Sequence, residues 1–454
     1  MKTLFPTLAA AALVALLPAR TQAFQVPEAV ASFPAAQRAM AAGYKALTVC
    51  SALKTAQAAG AERTLAHVEA HELVGIYPEL VPIIGHLQAE VSEAGVRVAW
   101  DDQAPPRVAR HRPGQGCVIQ PMGYVEGPAL AAVPRRASAP DLPAGPVRGD
   151  EAGAQAVIEA AFAEAYGPGS RTTGVVVLQD GQRVAERYAQ GFGPNTPQRT
   201  WSVAKSLAGT LIGAAVHRGE VRVQDPAAIA DWQQPGDPRA AITLESLMRM
   251  SSGLTSDTAG NRTDALYFGG TSVDEQAPGW PLLHPAGSTY RYANNDTLLA
   301  VMGIARGFGE HPPSAFLDRL GMIHTFAETD WRGNFMLSSQ VWTTARDLSR
   351  LGQLYLNDGV WEGERLLPQG WARFVATPSG PQPPTGEFGY GATFWVMNRS
   401  EGVPSDAFAA FGNRGQYVVI IPSRRIVIVR RGEDPAGQGF DIADFTRDLL
   451  SRLD

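Results

Sequence analysis

The sequence predicts an α+β fold in which an antiparallel sheet, built from an early and a late hairpin, is flanked by helices and interrupted by an inserted helical region. Three observations carry this. Thr173–Leu178 and Arg183–Tyr188 are β-rich runs joined by Gln179-Asp180-Gly181-Gln182, a plain hairpin signal. Gln416–Ile421 and Ile426–Arg430 repeat the pattern around Pro422-Ser423-Arg424-Arg425 near the end of the chain. Between them, residues 220–350 are helical with loops, as in Thr243–Leu254, where Gly253 supplies a stop. Helices are expected over Ala152–Ala165 before the first hairpin and over Phe440–Leu453 after the second. Elements distant in sequence then share one sheet, with the helices on it.

The chain has 454 residues, enough for one large or two ordinary domains. Apolar residues make up 45%, charged residues 18%, and the net charge is −5. This is the composition of an aqueous globular protein without a polycationic surface, which argues against nucleic acid as a partner. Residues 1–23 have the form of a secretory signal: Lys2, an apolar run from Leu4 to Leu17, then Thr21-Gln22-Ala23 with small residues at the positions a signal peptidase reads. Export to the periplasm or beyond is expected. No membrane anchor is expected after cleavage, since no cysteine follows the run and no later stretch reaches the apolar length of a span.

Export gives the two cysteines a meaning. Cys50 and Cys117 form the only possible disulfide, with two buried free thiols as the alternative. Closing that loop stabilises the fold by about 4 kcal/mol on a chain-entropy basis. Residues 24–127 form a small accessory region: an alanine-rich helical stretch over 35–74, then strands Val96–Trp100 and Val108–His111. Residues 128–149, with Pro128, Pro134, Pro140, Pro143 and Pro146, are expected to be a linker, which places the main domain at 150–454. His67 and His71 stand at i and i+4, a spacing that could hold a metal, but without the H-E-x-x-H order or an evident third ligand they are expected to be surface helix residues.

The chemistry centres on Thr200-Trp201-Ser202-Val203-Ala204-Lys205, at the start of an expected helix whose apolar residues Val203, Leu207, Leu211 and Val216 recur at helical spacing. Residues three apart share a helix face, so the Ser202 hydroxyl and the Lys205 amine can touch. A deprotonated amine can accept the serine's proton; a guanidinium cannot. Only four of 39 basic residues are lysine, and Lys205 is the only one after Lys54. Ser51-Ala52-Leu53-Lys54 matches the same short pattern and shows how cheap it is.

Companions distinguish the two. Tyr290-Arg291-Tyr292-Ala293-Asn294 places Tyr292 and Asn294 on one side of an extended segment, where a phenol can shuttle protons between serine, amine and leaving group. Phe411-Gly412-Asn413-Arg414-Gly415-Gln416 runs into the strand from Tyr417. A glycine at a strand start lets a substrate lie along the edge, and the following N–H can join that of Ser202 around an oxyanion. Ser51–Lys54 has no such companions.

In this order, S-x-x-K, Y-x-N and a glycine-containing strand motif resemble the active-site set of penicillin-recognising serine enzymes, whose pattern is S-x-x-K, S-D-N and K-T-G. The tyrosine of the second motif resembles the branch of class C β-lactamases, D-aminopeptidases, esterases and 6-aminohexanoate-dimer hydrolases, the last being closest in flavour. Ile242–Leu254, Thr344–Gly352 and Gly359–Pro368 look like that branch too, so the resemblance covers about residues 150–454. The cysteine-bearing ends of the accessory region look like extensions of exported members.

The resemblance implies a β-lactamase/transpeptidase-like fold and a two-step acyl transfer on a small-molecule amide or ester, with no metal or organic cofactor. It implies Ser202 as nucleophile, Lys205 and Tyr292 as its proton managers, and the N–H groups of Ser202 and Gln416, beside Gly415, as oxyanion donors. Asn294 would contact the substrate amide or the lysine. Asn413 stands where relatives have a lysine or histidine, so a cation for a substrate carboxylate is lost and neutral substrates are favoured. Arg414 should point to the other face. Rivals are an α/β-hydrolase, which the lack of any G-x-S-x-G opposes, a penicillin- or cell-wall-peptide-binding protein on the same scaffold without effective deacylation, and a metal-dependent amidase at His67 and His71.

Overall fold

The computed structural model describes residues 28–255 and 263–454; the expected signal at 1–23 lies outside them. The chain opens with helices α1 (Ala35–Ala58) and α2 (Leu65–His71), followed by a four-stranded antiparallel meander of β1 (Ala89–Ser92), β2 (Gly95–Val98), β3 (Arg107–Arg112) and β4 (Gly116–Ile119). After the proline-rich segment come α3 (Glu151–Phe162), β5 (Thr172–Gln179), β6 (Gln182–Tyr188) and α4 (Val203–His217). The inserted region contains α5 (Asn294–Ile304) and leads to α6 (Ala345–Leu356). The closing elements are β7 (Gly389–Tyr390), β8 (Trp395–Val396), β9 (Phe408–Gly412), β10 (Gln416–Ile421), β11 (Ile426–Gly432) and α7 (Ile442–Leu450).

The expected sheet forms, with the order β7-β8-β9-β10-β11-β5-β6. The late hairpin meets the early one where β11 pairs antiparallel with β5, Ile428 opposite Val177. Side chains alternate between faces along a strand. Val176, Leu178, Val418, Ile420, Val427 and Val429 therefore enter one core, with Leu348 and Leu351 of α6 and Leu207 and Ile212 of α4. Val175, Val177, Val419, Ile421, Ile426 and Ile428 enter the other, with Ile158 of α3 and Phe445 and Leu449 of α7. Both faces are covered, which is why these antiparallel strands read as continuous apolar runs. Gly352 lets α6 lie against the sheet, because a Cβ there would sit 2.4 Å from Val427.

The N-terminal region shares its core with the main body. The 35–74 helical stretch is two helices, interrupted around Gly60 (φ 71°), and the strand pair is a four-stranded meander. Cys50 of α1 and Cys117 of β4 are disulfide-bonded. Ala41, Ala42, Val49 and Cys50 join the same core as Phe268 and Trp342 of the main body. Polar contacts cross as well. Arg107 donates to Phe268 O at 2.9 Å, and buried Glu328 accepts from Ser51 Oγ at 2.6 Å and from the Cys117 N–H at 2.7 Å. Ser51 is thus a structural anchor, far from any S-x-x-K role, while Lys54 pairs with Glu93 at 3.4 Å. Residues 128–149 lack helix and carry only isolated bridges, at Ala144 and Gly149. They run along the main body as a strap: Arg135 binds Asp318 at 2.7 Å and Thr325 O at 2.8 Å, and Pro143 O accepts the Arg183 N–H at 2.7 Å. Prolines hold such a segment extended while edge contacts tie it down.

Candidate active site

Helix α4 begins directly after a strained turn. Trp201 has φ 50°, an uncommon region for an aromatic residue, and the Thr200 N–H is tied to Val341 O at 2.8 Å. The next residue, Ser202, sits at the N-cap, so its hydroxyl is presented at the positive end of the helix. One turn on, Lys205 is 1% exposed. Its Nζ donates to Asn294 Oδ1 at 2.6 Å, to Ser338 O at 2.8 Å and to Ser202 Oγ at 2.9 Å. Burial, and then the charge of Arg199, pull its pKa from 10.5 to about 7. Arg199 lies under Trp201, 3.8 Å from the ring centre, and binds Ser339 Oγ at 2.9 Å.

Tyr292 completes the cluster. Its phenol hydrogen-bonds Ser202, its ring stands 5.1 Å from Lys205 Nζ, and burial raises its pKa, keeping the phenol neutral at ordinary pH. Tyr290 packs edge-on to Tyr390, and its buried hydroxyl has no side-chain or backbone partner among the described residues; it does not line the cavity beside Ser202. Asn294, the first residue of α5, accepts from the lysine through Oδ1 and also lines the cavity beside Ser202.

The cavity beside Ser202 has a volume of about 340 Å³ and reaches Asn294, Gly412 and Asn413. Gly412 is required there: a Cβ would lie 2.2 Å from Thr200 O, so only glycine lets the end of β9 meet the start of α4. Gly415 and Gln416, expected at the oxyanion position, do not line it. Gln416 is fully buried, accepting from Arg431 at 2.6 Å, and a Cβ on Gly415 would run into Arg430 and Asp434. The reason is the hairpin tip, where Arg414 (φ 58°) and Gly415 (φ 74°) are left-handed and turn the chain away after Asn413. The strand edge facing Ser202 is therefore the end of β9, before the turn. Reading the apolar run Phe408-Ala409-Ala410-Phe411 as a strand would have shown this. Arg414 points to the other side, as expected, and pairs with Glu433 at 2.9 Å.

Residues missed from sequence are Tyr267, whose hydroxyl bonds Ser338 Oγ, Trp395, stacked on Phe411 at 5.6 Å, and Tyr77 from the N-terminal region. Short-range pattern cannot announce them, because each reaches the cavity through a tertiary contact. His67 and His71 lie elsewhere, stacked on each other at 4.2 Å and edge-on to Phe192 at 4.9 and 5.0 Å, with Arg63 on His67 Nδ1.

A seven-stranded antiparallel sheet between helical layers, with a serine and a tyrosine set around a buried lysine at the helix start, defines a β-lactamase/transpeptidase-like fold. Residues 157–449 match the beta-lactamase family, and the chain belongs to that family. It is 26% identical over 298 residues to a 6-aminohexanoate-dimer hydrolase of Paenarthrobacter ureafaciens, across 58% of this chain and 73% of the relative. Among solved structures it is similar to a penicillin-binding-protein homologue from Caulobacter crescentus, with a TM-score of 0.53, 17% identity, and coverage of 67% of this chain and 97% of that one. It is also similar to a class C beta-lactamase, with a TM-score of 0.51, 16% identity, and coverage of 67% and 96%. These two likenesses concern the fold.

Proposed function

We propose that the protein is a serine hydrolase that opens amide or ester bonds of small neutral molecules through a covalent acyl-enzyme, with Ser202 as nucleophile. The observation that carries the reading is the 2.9 Å contact between Ser202 Oγ and the amine of a buried lysine whose pKa lies at about 7. Near neutral pH about half of such an amine is unprotonated and can take the serine's proton, which an ordinary lysine cannot do.

In the proposed sequence, Ser202 Oγ attacks the substrate carbonyl carbon while its proton passes to Lys205. The negative charge that develops on the carbonyl oxygen is met by the N–H groups of Ser202, at the helix start, and of Asn413, which replaces Gln416 in that role. Tyr292, held neutral by burial, relays the proton to the departing amine or alcohol as the carbon–heteroatom bond breaks. Water then attacks the acyl-enzyme by the reverse proton path and frees the acid. Asn294 fixes the amine's position. The similarity to a 6-aminohexanoate-dimer hydrolase supports amide or oligoamide substrates, and the neutral Asn413 supports uncharged ones. The Cys50–Cys117 disulfide supports an exported, oxidising location.

The test is intact-mass spectrometry of wild type and Ser202→Ala after exposure to a fluorophosphonate and to a penicillin, with p-nitrophenyl ester turnover alongside. A single fluorophosphonate adduct and ester turnover, both lost in Ser202→Ala, are expected. Turnover unchanged in the variant would overturn the proposal.

A further inference from the structure

The N-terminal region enters the cavity, and what it brings is an aromatic ring. Arg414, at the tip of the hairpin that carries Asn413, donates to His71 O at 2.8 Å and to Val74 O at 2.7 Å. Gly75 follows, with φ 65°, packed so closely on Pro435 that a Cβ would lie 2.6 Å from it, and its carbonyl accepts the Ala436 N–H at 2.7 Å. Two residues further on, Tyr77 lines the cavity of Ser202. Its ring stands edge-on to Trp201 at 6.3 Å and to Tyr44 at 5.8 Å, and tilted against Phe268 at 5.9 Å. The side chain is therefore fixed by packing on both parts of the chain and remains half-buried, with surface left for a ligand.

The remaining rings are those of Trp201, Tyr267 and Tyr292, with Trp395 and Phe411 of the sheet. Among the described residues no carboxylate and no basic side chain lines this cavity, for Lys205 is buried behind Ser202 and Arg414 is turned away. Aromatic walls offer apolar area and preferred stacked or edge-on contacts to another ring. A carboxylate placed among them would lose hydration without gaining a partner.

We propose that Tyr77 is a specificity-determining residue, and that the cavity selects bulky neutral acyl groups, aromatic ones first, over small acyl groups and over those bearing a free carboxylate. This rests on the serine hydrolase reading above. With p-nitrophenyl phenylacetate, Ser202 Oγ bonds to the carbonyl carbon, the bond to p-nitrophenolate breaks, and water then releases phenylacetate and regenerates the serine.

The experiment compares kcat/KM for the p-nitrophenyl esters of phenylacetate, acetate and succinate (as the monoester) in wild type, Tyr77→Ala, Tyr77→Leu and Ser202→Ala. Wild type is expected to prefer phenylacetate over both other acyl groups. Tyr77→Ala should cut the phenylacetate-to-acetate ratio about tenfold, the scale of one lost apolar contact in a pocket. Tyr77→Leu keeps apolar volume at the packing site if alanine unsettles the fold, and should lower the same ratio by removing the ring. An unchanged ratio in both variants, equal loss on both esters, or a wild type that takes succinate as well as phenylacetate would overturn the inference. In each of those cases serine dependence is intact, whereas turnover persisting in Ser202→Ala would instead strike the underlying reading.

Discussion

Asn294 Oδ1 accepts from Lys205 Nζ at 2.6 Å, a shorter contact than the 2.9 Å that the same amine makes with Ser202 Oγ. The lysine is held by a neutral amide where a carboxylate would also fit. That choice matters, because a carboxylate would favour the ammonium form and remove the base.

Asn294→Asp tests this. The Lys205 pKa of about 7 predicts that kcat/KM for an ester rises with pH through about 7 in the wild type, as the amine loses its proton. A carboxylate at 294 stabilises the ammonium, so the rising limb should move to higher pH, by about one to three units for a close opposite charge. Activity at pH 7, where about half of the wild-type amine is already free, should fall about 5- to 500-fold and recover as pH is raised. A pH profile with an unmoved limb would contradict the assignment of Lys205 as the base.

Glu328 joins the N-terminal region to the main body, and burial raises its pKa from 4.5 to about 8. The folded protein therefore binds the proton more tightly than the unfolded chain between these values. The associated stability is present in full below pH 4.5 and lost as pH rises to about 8. Asp296, raised to about 7, and Asp347, raised to about 6, act in the same direction. Glu328→Gln retains an acceptor for Ser51 and Cys117 without the titration, so its Tm should fall less between pH 5 and pH 8 than that of the wild type. Parallel Tm curves for the two proteins would remove Glu328 from the account.

Asn413→Lys restores a cation at the exposed hairpin tip. Exposed ion pairs contribute about 0.2–1 kcal/mol, so kcat/KM for p-nitrophenyl succinate should rise by at most about fivefold, with phenylacetate unaffected. Measured in 0.5 M salt the gain should shrink, since the contact is screened. A decrease with succinate would show that the hairpin tip does not face the acyl group.

The linear sequence determined the local chemistry. Period-two strands and turn residues are written within a few positions, so β5, β6, β10 and β11 were legible. So was the helix that sets Lys205 one turn after Ser202, because three-residue spacing fixes proximity whatever surrounds it. The pairing of Cys50 with Cys117 followed from there being no other partner. Tertiary structure decided everything that depends on which surfaces meet. It chose the end of β9 over the start of β10 as the edge facing Ser202, because the left-handed conformations of Arg414 and Gly415 reverse the chain after Asn413. It merged residues 28–127 into the main core through Glu328, Arg107 and Arg414, burying polar groups whose partners lie up to 343 positions away. It also depressed the Lys205 pKa and set Tyr77 beside Trp201, since burial and packing are properties of the assembled surfaces and leave no mark in spacing or composition.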